Sequence, residues 1–279
     1  MKIIFRVIKI LFVFSVLTVL TQVGGVIYLF YLPFSSYVKN ENVSRWKSFA
    51  MRFLGFSILY LLVCLFLIPP LAKKYGRVAL PVFSKNETPV KAGNILFYLA
   101  NRHYVKTELR DAYFSVAKKV AEKYPTAQLI HLDANFPFFD NFPLIPHLSH
   151  DDGEKLDIAF LYKNENESKF YNNTFSFTGY GVCERPKKGE FDQPNECEEK
   201  GNFQYNFLEK ITFAKVKKGY AFDEEANRFL IRELIRQKSI RKIFIEPHLK
   251  NRLKLNGQQK VRFHGCHAVR HDDHIHFQL

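Results

Sequence analysis

Two long stretches without charged residues dominate the first quarter of the chain. Residues 10–38 and residues 53–72 contain no Asp, Glu, Lys or Arg. A helix needs about 20 mostly apolar residues to cross a bilayer, so both stretches are long enough. We therefore predict a membrane anchor over residues 1–75, with two transmembrane helices at about residues 10–32 and 53–72.

The charges around these stretches leave the orientation of the anchor open. Lys2, Arg6 and Lys9 precede the first stretch, as in the basic end of a signal peptide. That stretch is longer than the apolar region of a signal peptide, and a second one follows it. We therefore predict two retained spans, with both termini on one side. Lys and Arg flank the spans almost evenly, so the positive-inside rule does not select that side.

From residue 76 onward the sequence mixes charged, aromatic and aliphatic positions, as in an ordinary folded domain. Residues 76–97 predict a connector, because Gly, Pro and charge interrupt any periodicity. Residues 164–204 are polar and predict an insertion with loop character. The remaining apolar patterns predict helices over 105–123 and 223–238, the second capped by Asp223, and strands over 127–136, 156–162, 240–247 and 274–279. Residues 98–279 should thus form one α+β domain with an antiparallel sheet and flanking helices.

The formal net charge of +14 raises the question of a nucleic-acid partner. Part of the basic excess flanks the apolar stretches, and the rest is scattered along the chain rather than arranged as a stripe. We therefore predict no nucleic-acid partner. A basic surface also suits anionic membranes and cell-wall polymers.

The four cysteines give a hint about the compartment. Cys183 and Cys197 flank a polar loop that contains Pro and Gly, which predicts a disulfide that closes this loop. Two unrelated free thiols are the alternative. Because disulfides persist in oxidising compartments, the predicted bond favours an extracytoplasmic domain. Cys64 lies inside the second apolar stretch and is expected to be a small apolar residue there.

The ten histidines are unevenly placed. One group contains His147 and His150 and is followed by Asp157, whereas the second group crowds the residues from 264 to 276. Side chains alternate along a strand, so His274 and His276 should lie on one face of the predicted strand 274–279. Imidazole and carboxylate are the usual ligands of a catalytic zinc, which leaves one position for water. The two groups together predict a metal site.

Both groups resemble the signature of a known family. In PHLSHDDGEKLDIAF, residues 146–160, a His is followed after six residues by an Asp, and a further His lies three positions before the first. RHDDHIHFQL, residues 270–279, resembles a terminal His-x-His strand. This order is similar to that of the penicillin-insensitive murein endopeptidases, within the lysostaphin-type, D-Ala-D-Ala-type and hedgehog-type zinc domains. The resemblance covers about residues 100–279, and the apolar stretches lie outside it.

The resemblance implies a ligand set of His150, Asp157 and His276 for one Zn²⁺. By position, Asp273 corresponds to the acidic general base of related D-Ala-D-Ala hydrolases. His271 and His274 are its rivals, either as the base or as donors to the oxyanion.

Other residues could complete such a site. The resemblance gives His147 a role in orienting a ligand or the substrate. Cys266 and His267 are extra potential metal ligands. Arg102 or Arg270 could bind a substrate carboxylate, although an ordinary surface role is the simpler interpretation of each.

We therefore expect a zinc metallopeptidase anchored in the cytoplasmic membrane, with its domain on the periplasmic side. Its expected substrates are peptidoglycan stem peptides, cut at D,D or L,D bonds of the cross-links. A D-Ala-D-Ala-type carboxypeptidase or dipeptidase is the close alternative. A hedgehog-type domain that keeps zinc as a non-catalytic binding module is the alternative of a different class.

Overall fold

A computed structural model describes residues 2–37, 44–85, 88–212, 217 and 219–279. The α-helices are α1 Lys2–Thr21, α2 Gly24–Tyr37, α3 Arg45–Leu62, α4 Ile68–Lys74, α5 Ile95–Leu99, α6 Thr107–Lys123, α7 Gln193–Glu199, α8 Phe207–Ile211, α9 Glu224–Arg236 and α10 Pro247–Arg252. The strands are β1 Arg77–Ala79, β2 Val90–Ala92, β3 Tyr104–Lys106, β4 Leu129–His131, β5 Lys155–Ala159, β6 Tyr162–Asn164, β7 Tyr220–Phe222, β8 Lys242–Phe244, β9 Val261–Arg262 and β10 His274–Gln278.

Two helices are long and apolar enough to cross a membrane, but their bounds differ from the prediction. They run over Ile3–Thr21 and Arg45–Lys74, the second formed by α3, one π-helical stretch and α4. The first predicted span, residues 10–32, is interrupted at Gln22, which has a φ of 65°. At Gly25 a Cβ atom would lie 2.0 Å from the Thr18 hydroxyl oxygen, so α2 folds back closely on α1. Hydropathy did not reveal this break, because the residues around it carry no charge.

The folded domain begins directly after α4. Gly76, at a φ of 75°, turns the chain into β1, which pairs antiparallel with β3. β2 pairs parallel with β4 in the main sheet. The segment predicted as a connector, residues 76–97, therefore supplies strands to two sheets, although residues 86–87 lie outside the described ranges. Short strands separated by Pro and Gly do not produce a long alternating pattern, and the sequence read as a connector for that reason.

The main sheet has six strands in the order β2-β4-β5-β10-β8-β9. The four central strands are antiparallel, as predicted, whereas the outer strands β2 and β9 pair in parallel with their neighbours. Helices α6 and α9 pack against each other beside the sheet. Apolar side chains from both layers form the core, among them Leu109, Tyr113, Leu230, Ile158, Ile275 and Phe277. The domain is thus α+β with a mixed sheet.

Most predicted elements are present, with shifted ends. The helices predicted over 105–123 and 223–238 are α6 and α9, and the Asp223 side chain accepts a hydrogen bond from the backbone N–H of Ala226, as expected of an N-cap. The strand predicted over 127–136 is shorter. After β4, Leu132 and Asp133 still form backbone hydrogen bonds with Asp157 of the main sheet, and the chain then bridges Tyr104 at Asn135.

The disulfide predicted between Cys183 and Cys197 is wrong. Cys197 is bonded to Cys266, and Cys183 is a free thiol. Cys197 lies on α7, inside the segment predicted as a loop, and this helix packs next to the loop that contains Cys266. The prediction failed because closeness in sequence was taken for closeness in space. Cys266 is therefore not available as a metal ligand.

We expect the Cys197–Cys266 bond to stabilise the fold measurably. It joins residues 69 positions apart, and a bond of this kind restricts the unfolded chain. Replacing both cysteines with Ser should lower the free energy of unfolding by about 2–4 kcal/mol, read as a lower thermal midpoint of the purified chain. Cys183→Ser is the matched control and should leave the midpoint unchanged. Equal midpoints for all three proteins would contradict the prediction.

Candidate metal centre

The centre is built on the two middle strands of the main sheet. His276 on β10 lies directly opposite Asp157 on β5 in the antiparallel register. Residues alternate in direction along a strand, so Ile275 and Phe277 enter the core while His274 and His276 face the other side of the sheet. His150 reaches the same point from the loop between β4 and β5. The one-face placement predicted for His274 and His276 is confirmed.

The three predicted ligands converge on one point. His150 Nε2 lies 3.1 Å from His276 Nδ1 and 3.3 Å from Asp157 Oδ1, and the latter two atoms are 2.9 Å apart. A tetrahedral zinc with bonds of about 2.0–2.1 Å separates its ligand atoms by about 3.3 Å. All three side chains are buried. His150, Asp157 and His276 can therefore hold one metal ion.

Hydrogen bonds orient the histidine ligands. His150 Nδ1 donates to the carbonyl oxygen of Ala134 at 2.8 Å, because a carbonyl can only accept. In neutral His150 the lone pair is therefore on Nε2, which faces the other two ligand atoms. His276 Nε2 is buried and has no hydrogen-bond partner among the described residues. The hydrogen bond of His150 thus fits a metal ion next to its Nε2, where Asp157 Oδ1 and His276 Nδ1 also lie.

The electrostatics of the site favour the metal-binding forms of Asp157 and His276. Burial alone would raise the pKa of Asp157, but His150 and His274 outweigh burial and lower the pKa well below its usual range. Burial lowers the pKa of His276 to about 4 despite the neighbouring Asp157. At neutral pH Asp157 is therefore a carboxylate and His276 a neutral imidazole. At His150 burial would lower the pKa, but the Asp157 carboxylate outweighs it and raises the pKa, so a metal ion has to displace a proton there.

A second set of contacts supports Asp157. The Tyr180 hydroxyl donates to Asp157 Oδ2 at 2.7 Å and accepts from the backbone N–H of Asp133 at 3.0 Å. His147 Nδ1 donates to Asp133 Oδ2 at 2.8 Å. His147 therefore forms a hydrogen bond with Asp133, which supports the site, and with none of the three predicted ligands. Neither Tyr180 nor Asp133 was predicted to be part of the site. Tyr180 lies in the segment predicted as a loop, and Asp133 lies inside a predicted strand.

Neither arginine considered for substrate binding has a free guanidinium group. Arg102 forms a two-pronged pair with the buried Asp133 carboxylate and also donates to the carbonyl oxygen of Ile145. Arg270 forms a two-pronged pair with Asp272 and donates to Glu209. Both arginines therefore link neighbouring segments of the domain through ion pairs and hydrogen bonds.

The predicted catalytic side chains occupy two layers. His274 Nδ1 lies 2.5 Å from Asp273 Oδ1, and the other Asp273 oxygen accepts from the backbone N–H of Gly181 at 2.5 Å. His274 Nε2 lies 3.7 Å from Asp157 Oδ2 and has no hydrogen-bond partner among the described residues. Burial would lower the pKa of His274, but Asp157 and Asp273 outweigh it and raise the pKa to about 9. Asp273 thus stands behind His274 as seen from the metal site.

His271 lies beside His274, with ring centres 4.9 Å apart. Burial, together with His274 and His276, lowers its pKa well below the usual range, so the ring is neutral. His271 and His274 therefore place two imidazoles that are not ligands next to the metal site.

A cleft of about 250 Å³ gives access to the centre. One wall runs from Pro146 to His150, and the other from His264 to His271. His264 stacks on Phe244 at 4.2 Å, and the exposed His267 lies at the rim. The ligands His150, Asp157 and His276 line the floor together with His271 and His274.

No family model and no curated protein matches this chain. Function is therefore inferred from the geometry of the centre and from the spacing of its residues.

Proposed function

We propose that this chain is a membrane-anchored zinc metallopeptidase that hydrolyses peptide bonds in peptidoglycan cross-links. The observation that carries the proposal is the meeting of three buried ligand atoms, from His150, Asp157 and His276, at the floor of a cleft. Two nitrogen ligands and one carboxylate ligand with an open fourth position are the donor set of a catalytic zinc. A structural zinc is usually closed by four protein ligands.

A bound zinc would polarise the scissile carbonyl and supply a water molecule that is acidic enough to react at neutral pH. Peptide hydrolysis also needs a group that takes up a proton and returns it to the leaving amine. His274 is suited to this role, because its Nε2 faces the site and Asp273 holds its other nitrogen. Its raised pKa favours the protonated ring, which can give a proton to the leaving amine. The positive charge of an ion bound beside Asp157 would lower that pKa and free Nε2 to take a proton up. His271, on the same floor, is suited to donate to the developing oxyanion. The base role expected of Asp273 thereby passes to His274 in our proposal.

Peptidoglycan is the substrate that the motif spacing and the anchor favour together. The order and spacing of His147, His150, Asp157 and His276 resemble those of murein endopeptidases, and we propose the corresponding hedgehog and D-Ala-D-Ala peptidase-like fold. Disulfides persist in oxidising compartments, so the Cys197–Cys266 bond supports a domain on the periplasmic side of the cytoplasmic membrane. Two helices of sufficient length support the anchor.

The cleft lining favours an endopeptidase over a carboxypeptidase. A carboxypeptidase must bind the terminal carboxylate of its substrate, and a guanidinium or ammonium group is the usual partner. Among the described residues, none that lines the cleft is Lys or Arg. Arg102 and Arg270, which lie nearby, are paired with Asp133 and Asp272.

The test uses the full chain, because the domain packs directly on its helices. The purified protein is expected to contain about one zinc per chain, measured by elemental analysis. Incubated with purified peptidoglycan, it should convert cross-linked fragments into uncross-linked ones, identified by mass analysis. A chelator should stop this reaction, and added zinc should restore it. Release of terminal D-Ala alone would instead indicate a carboxypeptidase, and intact peptidoglycan with a full complement of zinc would indicate a binding module.

A further inference from the structure

The folded domain lies alongside the second membrane-spanning helix rather than above it. That helix, Arg45–Lys74, has 30 residues. Its length is about 45 Å, whereas the hydrocarbon core of a bilayer is about 30 Å thick. The Tyr60 hydroxyl donates to the carbonyl oxygen of Leu99 at 2.5 Å, and Asn101 Nδ2 lies 3.3 Å from Cys64 Sγ. Tyr60 lies about 20 Å before the domain end of the helix. The residues around Leu99 therefore reach the depth of the apolar part of the helix.

Exposed apolar side chains lie near this contact, near the domain end of the helix and at the rim of the cleft. We call them the apolar collar: Phe83, Ile95, Leu96, Leu99, Phe139 and Leu148. Phe83, Ile95 and Leu99 line a groove of about 460 Å³ together with Leu61 and Leu65 of the helix region.

The other end of the collar lies at the domain end of the helix. The ring of Phe139 lies 6.2 Å from that of Tyr75, the residue that follows α4. Lys73 and Lys74 are exposed in the last turn of α4, where ammonium groups suit lipid phosphates. Folded domains in water rarely leave this many large apolar side chains exposed beside an apolar helix.

The collar is continuous with the cleft. Leu148 is 61% exposed and lines the cleft between the ligand His150 and the rim. Arg102, which follows the helix-contacting Asn101, donates to the carbonyl oxygen of Ile145 and so ties this rim to the helix region. The wall of the cleft that carries His147 and His150 is therefore linked through Arg102 to the segment that contacts the membrane helix.

We propose that the apolar collar is embedded in the lipid bilayer, so that the cleft opens at the membrane surface and takes stem peptides carried by a membrane lipid. The bilayer is the occupant because the collar begins on the membrane-spanning helix itself. The substrate class rests on the proposed peptidase function, whereas the embedding of the collar does not.

The depth of the collar can be measured with single tryptophans. The chain has one tryptophan, Trp46, exposed on α3. On a Trp46→Phe background, Phe83→Trp and Phe139→Trp each place a reporter in the collar, in full-length protein reconstituted into phosphatidylcholine vesicles. Lipids brominated on their acyl chains should quench both reporters strongly.

Phe191→Trp is the matched control. Phe191 is 55% exposed. Its neighbour Glu190 pairs with Arg252 at the end of α10, away from α1–α4. This reporter should not be quenched. Collar reporters that resist quenching, or a Phe191→Trp reporter quenched to the same degree, would overturn the embedding.

The substrate class is tested with one peptide in two forms. A peptidoglycan stem peptide that carries a cross-link is either attached to a phospholipid in the same vesicles or left free in solution. We expect the lipid-attached form to be cut at least about tenfold faster at equal total concentration, because attachment raises its concentration at the cleft. Equal rates would overturn the preference for membrane-held substrates. Cleavage of neither form, with the collar reporters quenched, would count against the peptidase function and leave the embedding supported.

Discussion

Replacing Asp157 with asparagine is expected to abolish metal binding and, with it, peptide hydrolysis. Asp157 is the sole anionic ligand of the proposed set, and its Oδ1 lies within 3.3 Å of both ligand nitrogens. An amide oxygen is a far weaker ligand, and the amide N–H₂ group cannot bind a cation. Loss of a supporting contact already costs about 10–100-fold in metal affinity. Loss of the ligand itself should therefore cost more than about 100-fold.

Metal content and turnover on peptidoglycan, measured on the same preparation, test this expectation. Asp151→Asn is the matched control, since Asp151 is only half-buried and pairs with Lys155 at 3.3 Å. The control protein should keep its metal and its turnover. A stoichiometric metal content in Asp157→Asn would remove Asp157 from the ligand set and, with it, the basis of the proposed function.

The second large effect is expected at His274. Replacing His274 with Ala should lower kcat by about 10²–10⁴-fold while the metal content stays near one per chain. The physical reason is that His274 Nε2 has no hydrogen-bond partner among the described residues and lies 3.7 Å from Asp157 Oδ2, beside the proposed metal position. Turnover and metal analysis together separate loss of a proton-transfer group from loss of the ion.

A variant at Asp273 tests whether Asp273 acts through His274 or is itself the base. It contacts His274 Nδ1 and the backbone N–H of Gly181 and does not line the cleft. If it acts through His274, Asp273→Asn alone should lower kcat by about 10–100-fold. Added to His274→Ala, it should then have little further effect, because two residues that act as a unit are not additive. Independent, multiplicative losses would instead return the base role to Asp273.

The sequence was most informative where chemistry and strand geometry coincide. Alternation in HIHFQL places His274 and His276 on one face, and the structure confirms it. The motif around His150 and Asp157 pointed to two residues that the structure places beside His276, since the turn between them returns the chain onto β5. Helices α6 and α9 were predictable because their apolar residues recur at helical spacing. These residues form one face that can be buried together only if the segment is a helix.

The remaining features depend on contacts between distant segments. Tyr180 supports Asp157 from a segment with no periodicity, and Cys197 pairs with Cys266 because α7 packs beside a distant loop. The short strands in residues 76–97 are defined by partners that come later in the chain. The turn at Gln22 follows from the close approach of Gly25 to α1. A local sequence pattern does not reveal such partners, because they lie in distant parts of the chain.

The direct pairing of His276 with Asp157 has a consequence for how the sheet assembles. Moving β10 by one residue along β5 would set Ile275 against Asp157 and turn His276 into the core, because neighbouring residues face opposite sides. A one-residue slip thus removes one of the two ligands from the ion. Binding would add its free energy to the native alignment and not to the slipped one. A bound metal ion would therefore stabilise the native register of β5 and β10 relative to the slipped one, and so favour correct pairing at the centre of the sheet.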